Sequence, residues 1–193
     1  MSAARLAGAD ELRGQLLFAG APHPVSAGAL VSGPVSVAGR AGARGEVVRV
    51  HPAIAMLLRE PLTAEAGPGE LARSVAAAFV AGHLAHPGEE ADRFVLGDRP
   101  VPVPLRGPIT VWSGTDLPDT YLPEDFGDLA GRLVRLAGLA GELSAGQLAV
   151  LGPLTPRAGI AARPGTVQLW GPGDTALIVH LVRAGHRNGG QRP

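Results

Sequence analysis

Glycine and proline set the strongest limit on what this chain can fold into, because 28 glycines and 18 prolines occur among 193 residues. Glycine weakens helices and proline interrupts both helices and central strands, so long regular elements are disfavoured. Only 4% of the residues are aromatic although 46% are hydrophobic, so small side chains must fill much of the interior. We therefore expect a sheet-rich fold of short strands and tight turns around one core.

The charged residues exclude several classes of function. Seventeen basic residues balance seventeen acidic residues without forming a basic stripe, so we expect a small-molecule substrate, no nucleic acid and no membrane partner. Every basic residue is an arginine, which excludes Schiff-base chemistry and a lysine general base. The chain also has no cysteine, which excludes disulfides, thiolate metal sites and cysteine nucleophiles.

The chain is expected to contain a single domain over residues 23–183. An N-terminal segment, 1–22, includes a short predicted helix at 9–18, and the tail 184–193 is expected to be disordered. No stretch reaches the roughly 18 uninterrupted apolar residues of a membrane span. We therefore expect a cytoplasmic location.

Hydrophobic periodicity predicts strands and two helices. Extended segments are expected at 28–39 and 46–62, with Pro52 at a bulge, a strand start or an edge. The first helix is predicted over Gly69–Leu84 and the second over Asp125–Ala140, because apolar residues recur at helical spacing. The remaining predicted strands are Arg93–Leu96, Ile109–Trp112, Gln147–Leu151, Thr166–Trp170 and Ala176–Val182.

Several short motifs follow one another in a recognisable order. They are the sequence AIAMLLREPLTAEAGPGELARSVAAAFVAGHL at 53–84, DRFVLGDRPV at 92–101, Ala145-Gly146-Gln147, Gly152–Thr155 and Pro164-Gly165-Thr166. Over residues 24–182 the chain resembles 2-hydroxypentadienoate hydratases and oxalocrotonate decarboxylases, a branch of the fumarylacetoacetate hydrolase-like superfamily. The resemblance implies an α+β, mainly β fold with a rolled or barrel-like mixed sheet and two packing helices. It also implies a homodimer or larger homo-oligomer.

The chain departs from this family at the positions of its metal ligands. The resemblance implies two glutamates one residue apart before the Pro61-Leu62 turn, and a third acid at the end of the following helix. Alignment through Pro61-Leu62 puts His51, Ala53 and His83 at these three positions. Magnesium and manganese prefer oxygen ligands, so we expect no metal site of the family type and no cofactor.

His51 and His83 are therefore the candidate catalytic residues. If both reach one pocket, the pair could transfer a proton on an enolisable oxo compound, with a rate gain of about 10²–10⁴-fold. Alternatively, they fill the pocket of an inactive descendant, or they bind a softer ion such as zinc together with His86. His86 also fits a simple role as a partner of the helix dipole.

Four further residues are candidates for substrate binding. Leu154 and Thr155 belong to a loop whose amides and threonine, by the resemblance, hold a carboxylate or carbonyl oxygen, although a plain strand-ending turn fits equally well. Arg106 either binds an anionic substrate or lies on the surface. Tyr121, the sole tyrosine, lies in a predicted loop between prolines and is either a lid residue or incidental.

Two functions follow from these residues. The first is a metal-independent lyase, isomerase or cyclase that acts on an enolisable oxo compound in specialised, natural-product biosynthesis. The alternative is a catalytically silent binding or partner subunit that retains the hydratase fold. Only the enzyme requires His51 and His83 to reach a common ligand.

Overall fold

The structure, a computed structural model, describes residues 29–30, 35–37, 39–43, 48–85, 93–114, 117–154, 159–163 and 165–183. The described chain is mainly β. Its strands are β1 (Ala29–Leu30), β2 (Val35–Val37), β3 (Gly39–Ala43), β4 (Val48–Leu58), β5 (Val75–Ala85), β6 (Arg93–Val101), β7 (Ile109–Trp112), β8 (Asp119–Tyr121), β9 (Leu148–Leu151), β10 (Ile160–Ala162), β11 (Gly165–Gly171) and β12 (Thr175–Arg183). Its helices are α1 (Pro68–Ser74), α2 (Pro123–Phe126) and α3 (Leu129–Ala140).

The first sheet, sheet A, contains the long antiparallel pair β4 and β5. Its strand order is β1-β9-β4-β5-β6-β2, and β10 also pairs with β4. On that side, β4 pairs with β10 through Val48–Val50 and with β9 through Ile54–Leu57. Pro52 falls between these two pairings, a position that suits a residue without a backbone N–H. It lies inside β4, opposite Gly82 of β5, and not at the bulge, strand start or edge that we expected.

The second sheet, sheet B, has the order β3-β12-β11-β7-β8. Most pairings in both sheets are antiparallel, but β3 runs parallel to β12 and β2 runs parallel to β6. The sheets are therefore mixed, as expected. None of the pairings between described strands closes a barrel, so the barrel-like shape is not confirmed.

The main core lies between the two sheets and extends to α3. Alternate residues of β4 point into it, because successive side chains of a strand face opposite sides. The buried residues that sheet A contributes from β4 and β5 are Val50, Ile54, Met56, Leu58, Ala78, Val80 and Leu84, opposite Val167, Leu169, Leu177 and Val179 of sheet B. Leu129, Leu133 and Leu136 of α3 belong to the same cluster, so helix and sheets share one core.

The opposite face of sheet A carries a second, smaller buried cluster. Its members are Ala53, Ala55, Ala81, Phe94, Leu96, Leu148 and Val150. Three of them are alanines from the central strands, so the side chains at the middle of this face are short. The odd-numbered positions of β4 point to this face, and they include His51.

The predicted helix Gly69–Leu84 is wrong over most of its length. The helix ends at Ser74, and Val75–Ala85 forms β5, which pairs with β4 on one side and β6 on the other. A central strand that is buried on both faces is apolar almost throughout, so its sequence also contains apolar residues at helical spacing. The hydrogen bonds to β4 and β6 on either side make this segment a strand and not a helix.

The other predicted elements agree with the structure more closely. Helix Asp125–Ala140 is present but divided at Gly127, whose φ is +61°. The predicted strand Arg93–Leu96 is five residues too short, because β6 continues to Val101, and the other predicted strands from residue 109 onwards match within one residue. The predicted helix at 9–18 and the domain boundary at 22 lie outside the described residues. None of the described helices is long and apolar enough to cross a membrane.

Candidate active site

His51 and His83 are direct neighbours across sheet A. They are register partners in the antiparallel pair of β4 and β5, and their ring centroids are 5.5 Å apart with an interplanar angle of 29°. Both side chains are partly buried. The two histidines lie together, as we expected from the sequence. Strand pairing brings them together, however, because His83 lies in β5 and not at the end of a helix.

Phe94 extends this pair into a row of three rings. It is the register partner of His83 on β6, with ring centroids 4.8 Å apart and an interplanar angle of 12°. The Nε2 atom of His83 is buried. His83 is thus held between two rings, and its position relative to His51 is fixed by the register of three neighbouring strands.

Gly159 brings a further stretch of backbone against His51. Its φ is +67°, and a Cβ at this position would lie 2.7 Å from both Cε1 and Nδ1 of the His51 ring. Such a distance leaves no room for any side chain. The residue just before β10 therefore packs directly on the edge of the imidazole.

The side chains around His51 do not fit a magnesium site. Ala53 lies two residues further along the same face of β4 and offers only a methyl group, and His83 offers a nitrogen. Within the described ranges, no group of three or more His, Asp or Glu residues is arranged to hold a metal ion. Magnesium requires a shell of oxygen ligands, which these three positions do not supply. His86 lies outside the described residues, so zinc binding with a third imidazole stays untested.

The loop after β9 is attached to the segment before α3. The backbone N–H of Leu154 donates to the carbonyl oxygen of Asp125 at 2.5 Å, and the Leu154 side chain packs over Gly127. The amide that we expected to hold a substrate oxygen is therefore already bonded. Thr155 lies outside the described residues, and its role as a substrate ligand stays a prediction.

Tyr121 and Arg106 do not join the two histidines. Tyr121 lies in β8 rather than in a loop, is 1% exposed and belongs to the main core, on the other side of sheet A from His51. Burial in a core strand argues against a lid. Arg106 is exposed.

A residue that we did not single out from the sequence, Arg132 of α3, is fully buried. Its Nη1 donates to the carbonyl oxygen of Phe126 at 2.8 Å and to that of Gly152 at 2.6 Å. Burial, together with the nearby positive charge of Arg135, lowers the pKa of Arg132 from its ordinary value to about 10. The guanidinium thus connects α2, α3 and the end of β9.

An apolar cavity of about 590 Å³ opens beside α1, β5 and the start of α3. Met56, Ala78 and Leu133 line it and are also members of the main core. Asp128 is its one charged lining residue, and neither His51 nor His83 lines it. The cavity and the histidine pair are therefore separate features.

No sequence profile of a protein family matches this chain, and no curated protein is similar to it in sequence. Several solved structures nevertheless share its fold. The 4-oxalocrotonate decarboxylase from Pseudomonas putida G7, solved with magnesium and adipate, matches with a TM-score of 0.63 and 14% identity, over 80% of this chain and 69% of its own. The 2-hydroxyhepta-2,4-diene-1,7-dioate isomerase from Mycobacterium marinum matches with a TM-score of 0.61 and 14% identity, over 78% of this chain and 66% of its own.

A protein from Yersinia pestis CO92 that is assigned to the fumarylacetoacetate hydrolase family is also similar. Its TM-score is 0.57 at 14% identity, over 75% of this chain and 77% of its own. Identities at this level establish a fold and leave the activity open. The protein therefore has the fumarylacetoacetate hydrolase-like fold that its sequence motifs imply.

Proposed function

We propose that this protein is a lyase- or isomerase-type enzyme that transfers a proton on an enolisable oxo compound, with His51 and His83 as its acid/base pair. The observation that carries this proposal is the direct pairing of two imidazoles across β4 and β5, with ring centroids 5.5 Å apart. Solved proteins of the same fold include a decarboxylase and an isomerase, which supports this reaction class.

The proposed chemistry uses the two imidazoles together, one as a base and the other as an acid. One neutral ring accepts a proton from the carbon next to the substrate carbonyl, and the C–H electron pair forms the C=C bond of an enol. The other ring, in its protonated form, donates a proton to the carbonyl oxygen in the same step. Return of a proton to a different carbon gives an isomer, and expulsion of a leaving group from the enol gives a lyase reaction.

The proposed reaction needs no divalent metal ion. Two imidazoles and the methyl group of Ala53 stand where the resemblance implies a carboxylate cage, so polarisation of the carbonyl falls to the protonated histidine. We place this chemistry in specialised, natural-product biosynthesis, where the same enol can also close a ring.

The test is hydrogen exchange on carbon, which requires no knowledge of the natural substrate. Chelator-treated protein is incubated in D₂O with a short 2-oxo acid, a 2-oxo diacid and a 1,3-diketone, and deuterium uptake is followed by NMR. We expect exchange with at least one compound class, and a loss of roughly 10²–10⁴-fold in its rate for His51→Gln and for His83→Gln.

Phe94→Leu is the matched control, because it removes the third ring of the row and keeps both imidazoles. It should retain most of the exchange rate, and circular dichroism should show that all three variants fold. Exchange that survives in both histidine variants, or that appears only after magnesium is added, would contradict the proposal. Absence of exchange with every compound class would instead favour the silent partner subunit.

A further inference from the structure

Arg132 occupies a position where a charge is costly. It lies on α3 with Leu129, Leu133 and Leu136, all members of the main core, and it is 0% exposed. A buried guanidinium is normally neutralised by a carboxylate, because removal of an ion from water is expensive. No described carboxylate forms an ion pair with Arg132, and the charge that contributes to the lowering of its pKa is the positive Arg135.

The hydrogen bonds of Arg132 are distributed unevenly over its guanidinium. Nη1 donates to two backbone carbonyls, those of Phe126 and Gly152. The Nε and Nη2 atoms are buried and have no hydrogen-bond partner among the described residues. A buried donor without a partner is rare in folded proteins and calls for an explanation.

The two unbonded nitrogens form one edge of the guanidinium. Nε–H and Nη2–H point in nearly the same direction, and this pair of parallel donors matches the two oxygens of a carboxylate. The bonds from Nη1 to Phe126 and Gly152 fix the plane of the group. The edge suited to a bidentate carboxylate is therefore the one that makes no hydrogen bond within the described part of the chain.

We propose that Arg132 is the anchor of an internal carboxylate-binding site between α3 and the end of β9. Nε–H and Nη2–H donate to the two oxygens of one carboxylate, which also neutralises the buried charge. The ligand is either a free carboxylate or the carboxylate of a 2-oxo acid. The site shares no residue with the pair His51 and His83, so it can be tested independently of the proposed reaction.

The test is a carboxylate titration of protein that has been dialysed into chloride buffer. Acetate and 2-oxobutanoate are added separately at constant ionic strength, and the melting temperature and the arginine Nε–H signals are recorded by NMR. We expect a saturable rise in melting temperature and a shift of the Arg132 Nε–H signal. Arg132→Lys should bind about 10–100-fold more weakly, because lysine keeps the charge and loses the paired donors.

Arg135→Lys is the matched control, since Arg135 lies on the same helix and is exposed. It should titrate like the unaltered protein. A response to acetate supports a site for any free carboxylate, and a response to 2-oxobutanoate alone supports a site that is selective for 2-oxo acids. Failure of both compounds to move the Arg132 signal, or an equal affinity in Arg132→Lys, would overturn the site.

Discussion

At the scale of the residue, Gly159 matters because its backbone lies against the edge of the His51 ring. Its φ of +67° already favours glycine, and a Cβ would come within 2.7 Å of two ring atoms. Any side chain at this position would therefore have to displace the imidazole or the backbone. The absence of a side chain at residue 159 helps to keep His51 opposite His83.

We predict that Gly159→Ala lowers the free energy of unfolding by about 2–4 kcal/mol, from backbone strain and overpacking together. Gly173→Ala is the matched control, because its φ of +69° is nearly the same while nothing lies within 4 Å of the added Cβ. It should cost only about 1–2 kcal/mol. Urea unfolding measures the stability of both variants. An equal loss of stability in the two would contradict the prediction, because it would show that the His51 ring can move away from the added methyl group at little cost.

The candidate site was only partly predictable from single residues. The histidine pair followed from the resemblance, because matched positions in a common fold converge even when the side chains change. Arg132 could have been noticed, since it lies three residues after Leu129 and four before Leu136, on the buried stripe of its helix. Its bond to Gly152 was not predictable, because that carbonyl lies 20 residues further along the chain.

At the scale of the element, β5 shows where local pattern fails. The same residues fit a helix by their spacing and a doubly buried strand by their apolar character, and only the neighbouring strands decide between the two. Helix α3 was predictable because Leu129, Leu133 and Leu136 recur at helical spacing on its buried side. The start of the predicted helix Gly69–Leu84 is correct, because α1 covers Pro68–Ser74. The Gly67 N–H caps this helix by donating to the Glu70 carboxylate at 2.9 Å.

Because β5 is a strand, we predict that Gly82→Ala raises the free energy of unfolding by about 0.4–1 kcal/mol. The added Cβ would make ordinary contacts of 3.7 Å with Leu169 and Val95. Gly97→Ala in β6 is the control, because its Cβ would press on the carbonyl oxygen of Val80 at 3.3 Å and should destabilise the protein. Urea unfolding measures both variants, and a marked loss for Gly82→Ala would contradict the contacts described for β5.

At the scale of the whole molecule, the two sheets share one core and should behave as one unit. The fold class was predictable from the motifs and their order. The division into two sheets was not, because β1 pairs with β9 and β3 pairs with β12, far along the chain. Self-association as a homodimer or larger oligomer stays a prediction, which light scattering would test.

The fluorescence of the two tryptophans can test whether the two sheets unfold together. Trp112 and Trp170 both lie on sheet B and are 37% and 47% exposed, so their emission should change on unfolding. We predict that tryptophan fluorescence and far-ultraviolet circular dichroism give the same urea midpoint, as in a two-state transition. A fluorescence transition that precedes the loss of circular dichroism would mean that sheet B unfolds before sheet A.

The register of β4 and β5 also bears on how such a protein can evolve. The positions of the Cβ atoms at 51, 53 and 83 are determined by backbone pairing in the middle of a sheet, and hardly by the side chains they carry. Residue types at these positions can therefore be exchanged while the geometry that brings them together persists. A fold of this kind allows old chemistry to be lost and new chemistry to arise in few mutational steps, on a backbone that need not change.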